Sequence, residues 1–158
     1  MKPLIDQYSA YDLWANTRMV ERLQREPAAV LDRHVKSSFP SLRLTVNHIR
    51  DAGCAWHGRI FGNAPAEVGN GIGSLLKCSV ALHDQVLGTG EAGLLAPVEY
   101  SRASGQRYVQ PRWQLLLHCF NHASYHRGQL ITIMRQLDLA DVPNTDLVAY
   151  QRMLPAGK

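Results

Sequence analysis

Four long segments of the chain carry apolar residues at helical spacing, recurring every three or four positions. Pro27 ends the first of these segments, and Gly62 follows the second. Serines that can cap free amides, together with Pro40, suit the first turn of the second segment. The pattern therefore predicts four helices. They run from Leu4 to about Arg25, from around Ser38–Ser41 to Ile60, from about Ser74 to Leu87, and from Trp113 to Leu137.

The segments between these helices have other patterns. Between Ala96 and Arg112 the period changes around Ser104–Gln106, which predicts a short hairpin of two edge strands. The remaining predictions are a connection from Pro27 to Pro40, a flexible link at Gly69–Gly73 and one short turn around Asp146–Tyr150. The whole pattern predicts an all-α fold, in which a four-helix bundle carries a short β-hairpin before the last long helix. Residues 1–158 are predicted to form a single domain.

Composition narrows the class of protein. The 158 residues are 46% hydrophobic and 19% charged, which is typical of a globular protein, and the net charge of +4 is spread without a block of like charges. Nucleic-acid binding is therefore not expected. Cys54, Cys78 and Cys119 are odd in number and contain no CxxC pair, which favours a reducing compartment. With no apolar run of 18 residues and no signal-peptide pattern, we expect no membrane span and a cytoplasmic location.

The fourth predicted helix carries a histidine pair, His122 and His126, four residues apart on one helical face. This spacing lets two imidazoles bind one metal ion, although no glutamate base lies between them as it does in the HExxH motif. Histidines at the edge of the core are the alternative interpretation. His48 lies at the edge of the apolar face of the second helix and is the best third ligand. His57 and His34 are weaker candidates, because one lies off that face and the other in a connection.

Several motifs resemble the DinB-like (DinB/YfiT-like) four-helix-bundle superfamily, which is named for damage-inducible bacterial proteins. The resemblance covers nearly the whole chain, and its most specific part is the segment around the histidine pair. It implies that the metal ligands are His48, His122 and His126. The segments that carry the resemblance are Tyr11–Asn16, Leu44–Ile49 with Trp56, Asn121–Gln129 and Leu139–Tyr150.

Three imidazoles leave coordination positions open, as catalytic metal sites do. Zinc, nickel and iron are all compatible with such ligands. The resemblance implies a metal-dependent S-transferase that uses a low-molecular-weight thiol such as bacillithiol, mycothiol or glutathione on small electrophiles. It also implies a homodimer. A metal-dependent hydrolase and a stress-related, non-catalytic metal-binding module are the alternatives, and no catalytic residue is assigned.

Other residues near the motifs have two interpretations each. His118 precedes His122 by one turn and is expected to support the ligands or lie in the core. Cys119 is expected to be buried apolar filler rather than a nucleophile. Gly128 indicates either close helix packing or access to the metal. Asp51 can orient His48 or lie on the surface. A carboxylate on the thiol would need a cation, and four arginines are candidates: Arg18, Arg59, Arg107 and Arg112.

Overall fold

The computed structural model describes residues 1–63, 69–101 and 104–155. In these ranges the chain forms seven helices and one two-stranded antiparallel hairpin. The elements in chain order are α1 (Lys2–Leu23), α2 (Ala28–Leu31), α3 (Leu42–Phe61), α4 (Ser74–Leu87), α5 (Glu91–Leu95), β1 (Pro97–Ser101), β2 (Arg107–Pro111), α6 (Arg112–Gln136) and α7 (Leu147–Gln151).

The four long helices form the predicted bundle. Helix α1 packs against α4 and α6, and α3 packs against the same two helices, so that the four close a ring around the core. The hairpin immediately precedes α6 and pairs Glu99 with Val109 at its centre. Both features confirm the fold predicted from the apolar pattern. The single-domain assignment for residues 1–158 remains a prediction.

Local signals place the ends of the helices that carry the candidate site. The hydroxyl of Ser41 accepts a hydrogen bond from the Leu44 amide and caps α3. Gly62 ends α3 in the left-handed conformation, with a φ of 77° that a side chain would strain. Pro111 comes directly before α6, so the strand β2 passes into the helix without a loop. These ends set the registers of α3 and α6.

The apolar stripe of α1 needed one correction. Leu4, predicted as the first residue of this apolar helix, is 60% exposed, and Ile5 is the first fully buried residue. The helix begins at Lys2, with Pro3 in its first turn, because a proline there lacks only an amide that would have no partner. The short helices α2 and α5 were not predicted, since four or five residues are too few to show a helical period.

No helix among the described residues is long and apolar enough to cross a membrane.

Candidate metal centre

His48, His122 and His126 meet between α3 and α6. The Nε2 atom of His122 lies 3.2 Å from that of His48 and 3.2 Å from that of His126. One ligand atom from each of the three side chains lies within 4.8 Å of the other two, so the group could hold a metal ion. The structure therefore brings together the three residues that the sequence predicted, from positions 74 residues apart in the chain.

The helical repeat places two of these ligands, and helix packing places the third. His122 and His126 are one turn apart on α6, and their ring centroids are 4.4 Å apart. Helix α3 packs along α6, which brings the His48 ring to 5.0 Å and 4.4 Å from the His122 and His126 rings. The site is thus held by regular helices rather than by loops, and its geometry depends on the α3–α6 contact.

The site favours neutral imidazoles. Burial, followed by the proximity of His126, His48 and His118, lowers the pKa of His122 to about 4. Burial, followed by the proximity of His126, also lowers the pKa of His48. A protonated imidazole cannot bind a metal through that nitrogen, so both shifts favour the ligating form at neutral pH.

Gln129 fixes the tautomer of one ligand. Its Oε1 atom lies 2.8 Å from Nδ1 of His126, and an amide oxygen can only accept a hydrogen bond. His126 must therefore carry its proton on Nδ1, which leaves Nε2 with a lone pair directed toward the other two histidines. Metal-binding histidines commonly have such a partner on the second ring nitrogen. The sequence analysis did not identify Gln129, although its position three residues after His126 was a usable signal.

The nitrogen spacing fits a tetrahedral divalent ion. Two ligand nitrogens on such an ion are about 3.3 Å apart when each bond is about 2.0 Å long. The two Nε2–Nε2 distances that involve His122 are both 3.2 Å. A hydrogen bond could join one of these two nitrogen pairs. In the other pair, the two nitrogens would then face each other without a hydrogen bond. A cation at the centre satisfies all three atoms together, so the donor set fits a metal.

Two aromatic side chains enclose the imidazoles. The Phe39 ring stacks on His48 at a centroid distance of 4.0 Å and meets the edge of His126 at 5.6 Å. Tyr125 contacts the other side of His126 at 5.0 Å and is 65% exposed. Phe39 was missed in the sequence because it lies in a connection without apolar periodicity. These rings limit the rotamers of the histidines and mark the side of the site that is near solvent.

A buried ion pair lies on a different face of α6, which packs against α1. Arg127 Nη1 donates to Asp12 Oδ1 at 2.6 Å and to Asn16 Oδ1 at 2.8 Å, and its Nη2 donates to Ser124. Burial raises the pKa of Asp12, and the Arg127 guanidinium partly offsets that rise. The ion pair joins α1 to α6 next to the site. The sequence analysis grouped Asp12, Asn16 and Arg127 only through family motifs and did not predict their contact.

Other candidate residues around the triad have different roles from the ligands. His118 is exposed and contacts the Trp56 ring at 4.8 Å, so the expectation of a core position was wrong. Cys119 is buried as expected, and this burial raises its pKa. Asp51 accepts from Arg50 Nε at 2.7 Å and lies at the surface. Because its carboxylate is engaged there, it does not orient His48.

The two weaker histidine candidates lie outside the triad. His34 is exposed between α2 and α3. His57 is only 3% exposed, so the interpretation that it lies off the buried face of α3 was wrong. Its Nδ1 atom is 2.6 Å from the Asn63 carbonyl oxygen, which ties it to the end of α3. Neither residue belongs to the three-histidine group.

Gly128 occupies an open position beside the ligands. A Cβ atom added there would meet no described atom within 4 Å, so close helix packing does not explain this glycine. The residue lines a cavity of about 290 Å³ together with Lys36, Tyr125 and Gln129. None of the three histidines lines this cavity, so the second interpretation, access to the metal, remains a prediction.

The fold and this site define a helical bundle with a three-histidine group that could hold a metal ion. The model of the DinB family matches residues 1–156, and the chain belongs to that family. The chain is also similar to Protein DinB of Bacillus subtilis (strain 168), with 27% identity over 174 aligned positions that cover 94% of each protein. The family resemblance predicted from the helix motifs is thereby confirmed.

Proposed function

We propose that His48, His122 and His126 bind one divalent metal ion and that the protein is a metal-dependent thiol S-transferase acting on small electrophiles. The main support is the convergence of three imidazole nitrogens, two pairs of which are separated by 3.2 Å. Three protein ligands leave at least one position open on a tetrahedral ion. An open position is what a reacting thiol requires.

The chain's own residues prepare this site for a thiol. Gln129 holds the His126 ring through Nδ1, and Phe39 stacks on His48, so both ligands are oriented before anything binds. A divalent ion held there would lower the pKa of a coordinated thiol and make it nucleophilic near neutral pH. A separate general base is then unnecessary. Zinc, nickel and iron are all candidates, because imidazole ligands suit each of them.

The carboxylates on the neighbouring helices argue against the hydrolase alternative. Asp12 is paired with Arg127 in the core, and Asp51 is paired with Arg50 at the surface. Metalloproteases of the HExxH class use a glutamate near the metal as the general base for hydrolysis. Neither of these two carboxylates is free to act as that base. The thiol reaction has no such requirement.

A panel of thiols tests the proposed activity. Metal-loaded protein is mixed with glutathione, bacillithiol, mycothiol or cysteine and a chromogenic model electrophile, with and without chelator. We expect at least one thiol to conjugate faster than the uncatalysed background, and chelator or His122→Ala to remove the acceleration. If no thiol reacts faster than background, the S-transferase proposal fails.

A non-catalytic metal-binding module is the second candidate. It is supported by the position of the triad, which would let one ion join α3 to α6 and stabilise the bundle. The absorption spectrum of cobalt-substituted protein separates the two proposals. A thiol that enters the coordination sphere changes this spectrum, whereas a purely structural metal leaves it unchanged by every thiol. A stress-related role and a cytoplasmic location remain predictions.

We also propose a homodimer, as the family resemblance implies. The aromatic residues of α1 offer one surface for it, although several have contacts within the chain. Tyr11 donates a hydrogen bond to the Thr145 carbonyl, and Trp14 packs against Tyr150. The proposed dimer therefore has the uncovered part of this aromatic surface, or another surface, as its interface. Light scattering at micromolar concentration tests it, and a monomeric mass would refute it.

A further inference from the structure

A cleft of about 580 Å³ opens where α3, α6 and the β-hairpin meet. Aromatic, amide and cationic side chains contribute to its walls. The lining residues used below are Trp56, Arg59, Tyr100, Gln110, Gln114 and His118. The cleft is large enough for a small organic molecule, whose binding sites usually combine apolar walls with a few placed polar groups.

The cleft lies beside the triad along α6, one helical turn from His122 at its nearest lining residue, His118. Along α6, Gln114, His118 and His122 follow one another at intervals of four residues and therefore lie on one face. The His118 ring lies 6.1 Å from the His122 ring and 4.8 Å from the Trp56 ring. Trp56 and His122 also line a common small cavity. A ligand bound at the triad can therefore extend past His118 into the cleft.

Arg59 is the arginine candidate that lines this cleft. Its guanidinium lies over the Trp56 ring at 4.8 Å, which holds it at the wall. No carboxylate among the described residues forms an ion pair with it. The other three candidates have protein partners: Arg18 donates to the Asn144 carbonyl, Arg107 pairs with Glu99, and Arg112 donates to the Ile60 and Gly93 carbonyls.

A chain of hydrogen bonds orients a second donor in the cleft. The Tyr100 hydroxyl donates to Gln110 Oε1 at 2.5 Å, and Gln110 Nε2 donates to Gln114 Oε1 at 3.1 Å. The Gln114 oxygen is thereby fixed as an acceptor, and its Nε2 group has no acceptor among the residues that the structure describes. The cleft thus presents an amide N–H and a guanidinium, and a carboxylate can accept hydrogen bonds from both.

From these contacts we infer that the cleft binds the carboxylate of an extended, peptide-like thiol whose sulfur reacts at the triad. Gln114 precedes His122 by eight residues, or about 12 Å along the helix. The carboxylate must therefore be several bonds from the sulfur, which excludes a compact thiol such as cysteine as the best ligand. This inference rests on the proposed S-transferase function and adds the class of its thiol.

Calorimetric titration tests the inference with three probes. Glutathione carries both thiol and carboxylates, its diethyl ester lacks the free carboxylates, and S-methylglutathione lacks the free thiol. For Arg59→Gln and Gln114→Leu we expect glutathione and S-methylglutathione to bind about five- to tenfold more weakly, because a charge-assisted contact is lost at a partly exposed site. Binding of the diethyl ester should be unchanged.

Two matched variants locate the contact. Arg107→Gln removes an exposed hairpin arginine that already has an acidic partner, and it should bind all three probes like the native protein. Lys36→Gln removes a cation from the separate cavity beside Gly128 and should also have no effect. Weaker glutathione binding in Lys36→Gln, with native binding in Arg59→Gln, would overturn the inference. Failure of both carboxylate probes to bind the native protein would overturn it as well.

The absorption spectrum of the cobalt-substituted protein distinguishes failure of the cleft inference from failure of the S-transferase proposal. If glutathione changes the spectrum but Arg59→Gln does not discriminate glutathione from its ester, the cleft inference fails and the S-transferase proposal stands. If S-methylglutathione binds through Arg59 but no thiol changes the spectrum, the cleft binds carboxylates and the S-transferase proposal fails.

Discussion

Two polar clusters on α6 contain the adjacent residues His126 and Arg127. They differ in the hydrogen-bond partners that their side chains have. His126 faces α3, where its Nε2 atom points at two other nitrogens. Arg127 faces α1, where its guanidinium donates to Asp12 and Asn16. In the first cluster the imidazole nitrogens of three histidines face one another. In the second, the Arg127 guanidinium donates hydrogen bonds to oxygen acceptors and pairs with the opposite charge of Asp12. The three imidazoles are therefore suited to bind a cation, whereas the second cluster already contains the Arg127 cation.

The difference shows how function can be separated from structure in one helix. A buried ion pair whose guanidinium nitrogens Nη1 and Nη2 donate to neighbouring side chains belongs to the folded core, and removing one partner leaves an uncompensated charge. A group of convergent neutral imidazoles contributes little to folding until something binds it. The triad should therefore control ligand binding, and Arg127 should control stability.

The largest effect is expected from Arg127→Met. Asp12 is then left buried without its counter-ion, and the free energy of unfolding should fall by about 3–5 kcal/mol. Urea unfolding of metal-free protein measures this loss. In the double variant Asp12→Leu/Arg127→Met no buried charge remains, and most of the stability should return. A single variant as stable as the native protein would contradict the assigned role of the ion pair.

Metal removal should have the next largest effect. With free metal at a hundredfold excess over its dissociation constant, binding stabilises the native protein by about 3 kcal/mol, and chelator should remove that increment. Because the metal-free triad contributes little, His122→Ala without metal should lie within about 1 kcal/mol of the metal-free native protein. Thermal unfolding with and without chelator tests both statements. A metal-induced increase in His122→Ala equal to that of the native protein would contradict them.

A smaller change is expected from Gln129→Leu. This substitution removes the acceptor for His126 Nδ1, so the tautomer and ring orientation are no longer fixed. Metal affinity should fall about 10- to 100-fold while the three ligands remain. Competition titration with a chromogenic chelator measures the affinity. Gln129→Glu restores an acceptor and should recover most of it, and loss of folding in Gln129→Leu would instead indicate a structural role.

Periodic features of this chain could be predicted from its sequence. The apolar repeats of the four long helices, the hairpin and the one-turn spacing of His122 and His126 are local patterns. His48 could be assigned as the third ligand because its position in the sequence placed it at the edge of the apolar face of α3. The predicted helix bounds differed from the observed ones by only a few residues. Helix α1, for example, begins at Lys2, because a proline fits in its first turn.

Features that depend on contacts between distant segments were not predictable in this way. Phe39 reaches the triad from a connection without a period, and Asp12 meets Arg127 across 115 positions of sequence. Arg59 could be selected as the candidate for carboxylate binding only after the structure showed the partners of the other three arginines. His57 shows the same limit, since its buried ring contacts the Asn63 carbonyl oxygen beyond the end of α3.

The central claim is that His48, His122 and His126 bind one divalent ion, and metal content tests it most directly. Protein purified without a histidine tag is analysed for zinc, nickel and iron by elemental analysis, beside His122→Ala and an Arg107→Gln control. We predict about one metal per chain in the native protein and the control, and none in His122→Ala, because two remaining imidazoles hold a divalent ion poorly. Full metal occupancy in His122→Ala would contradict the assignment of this site.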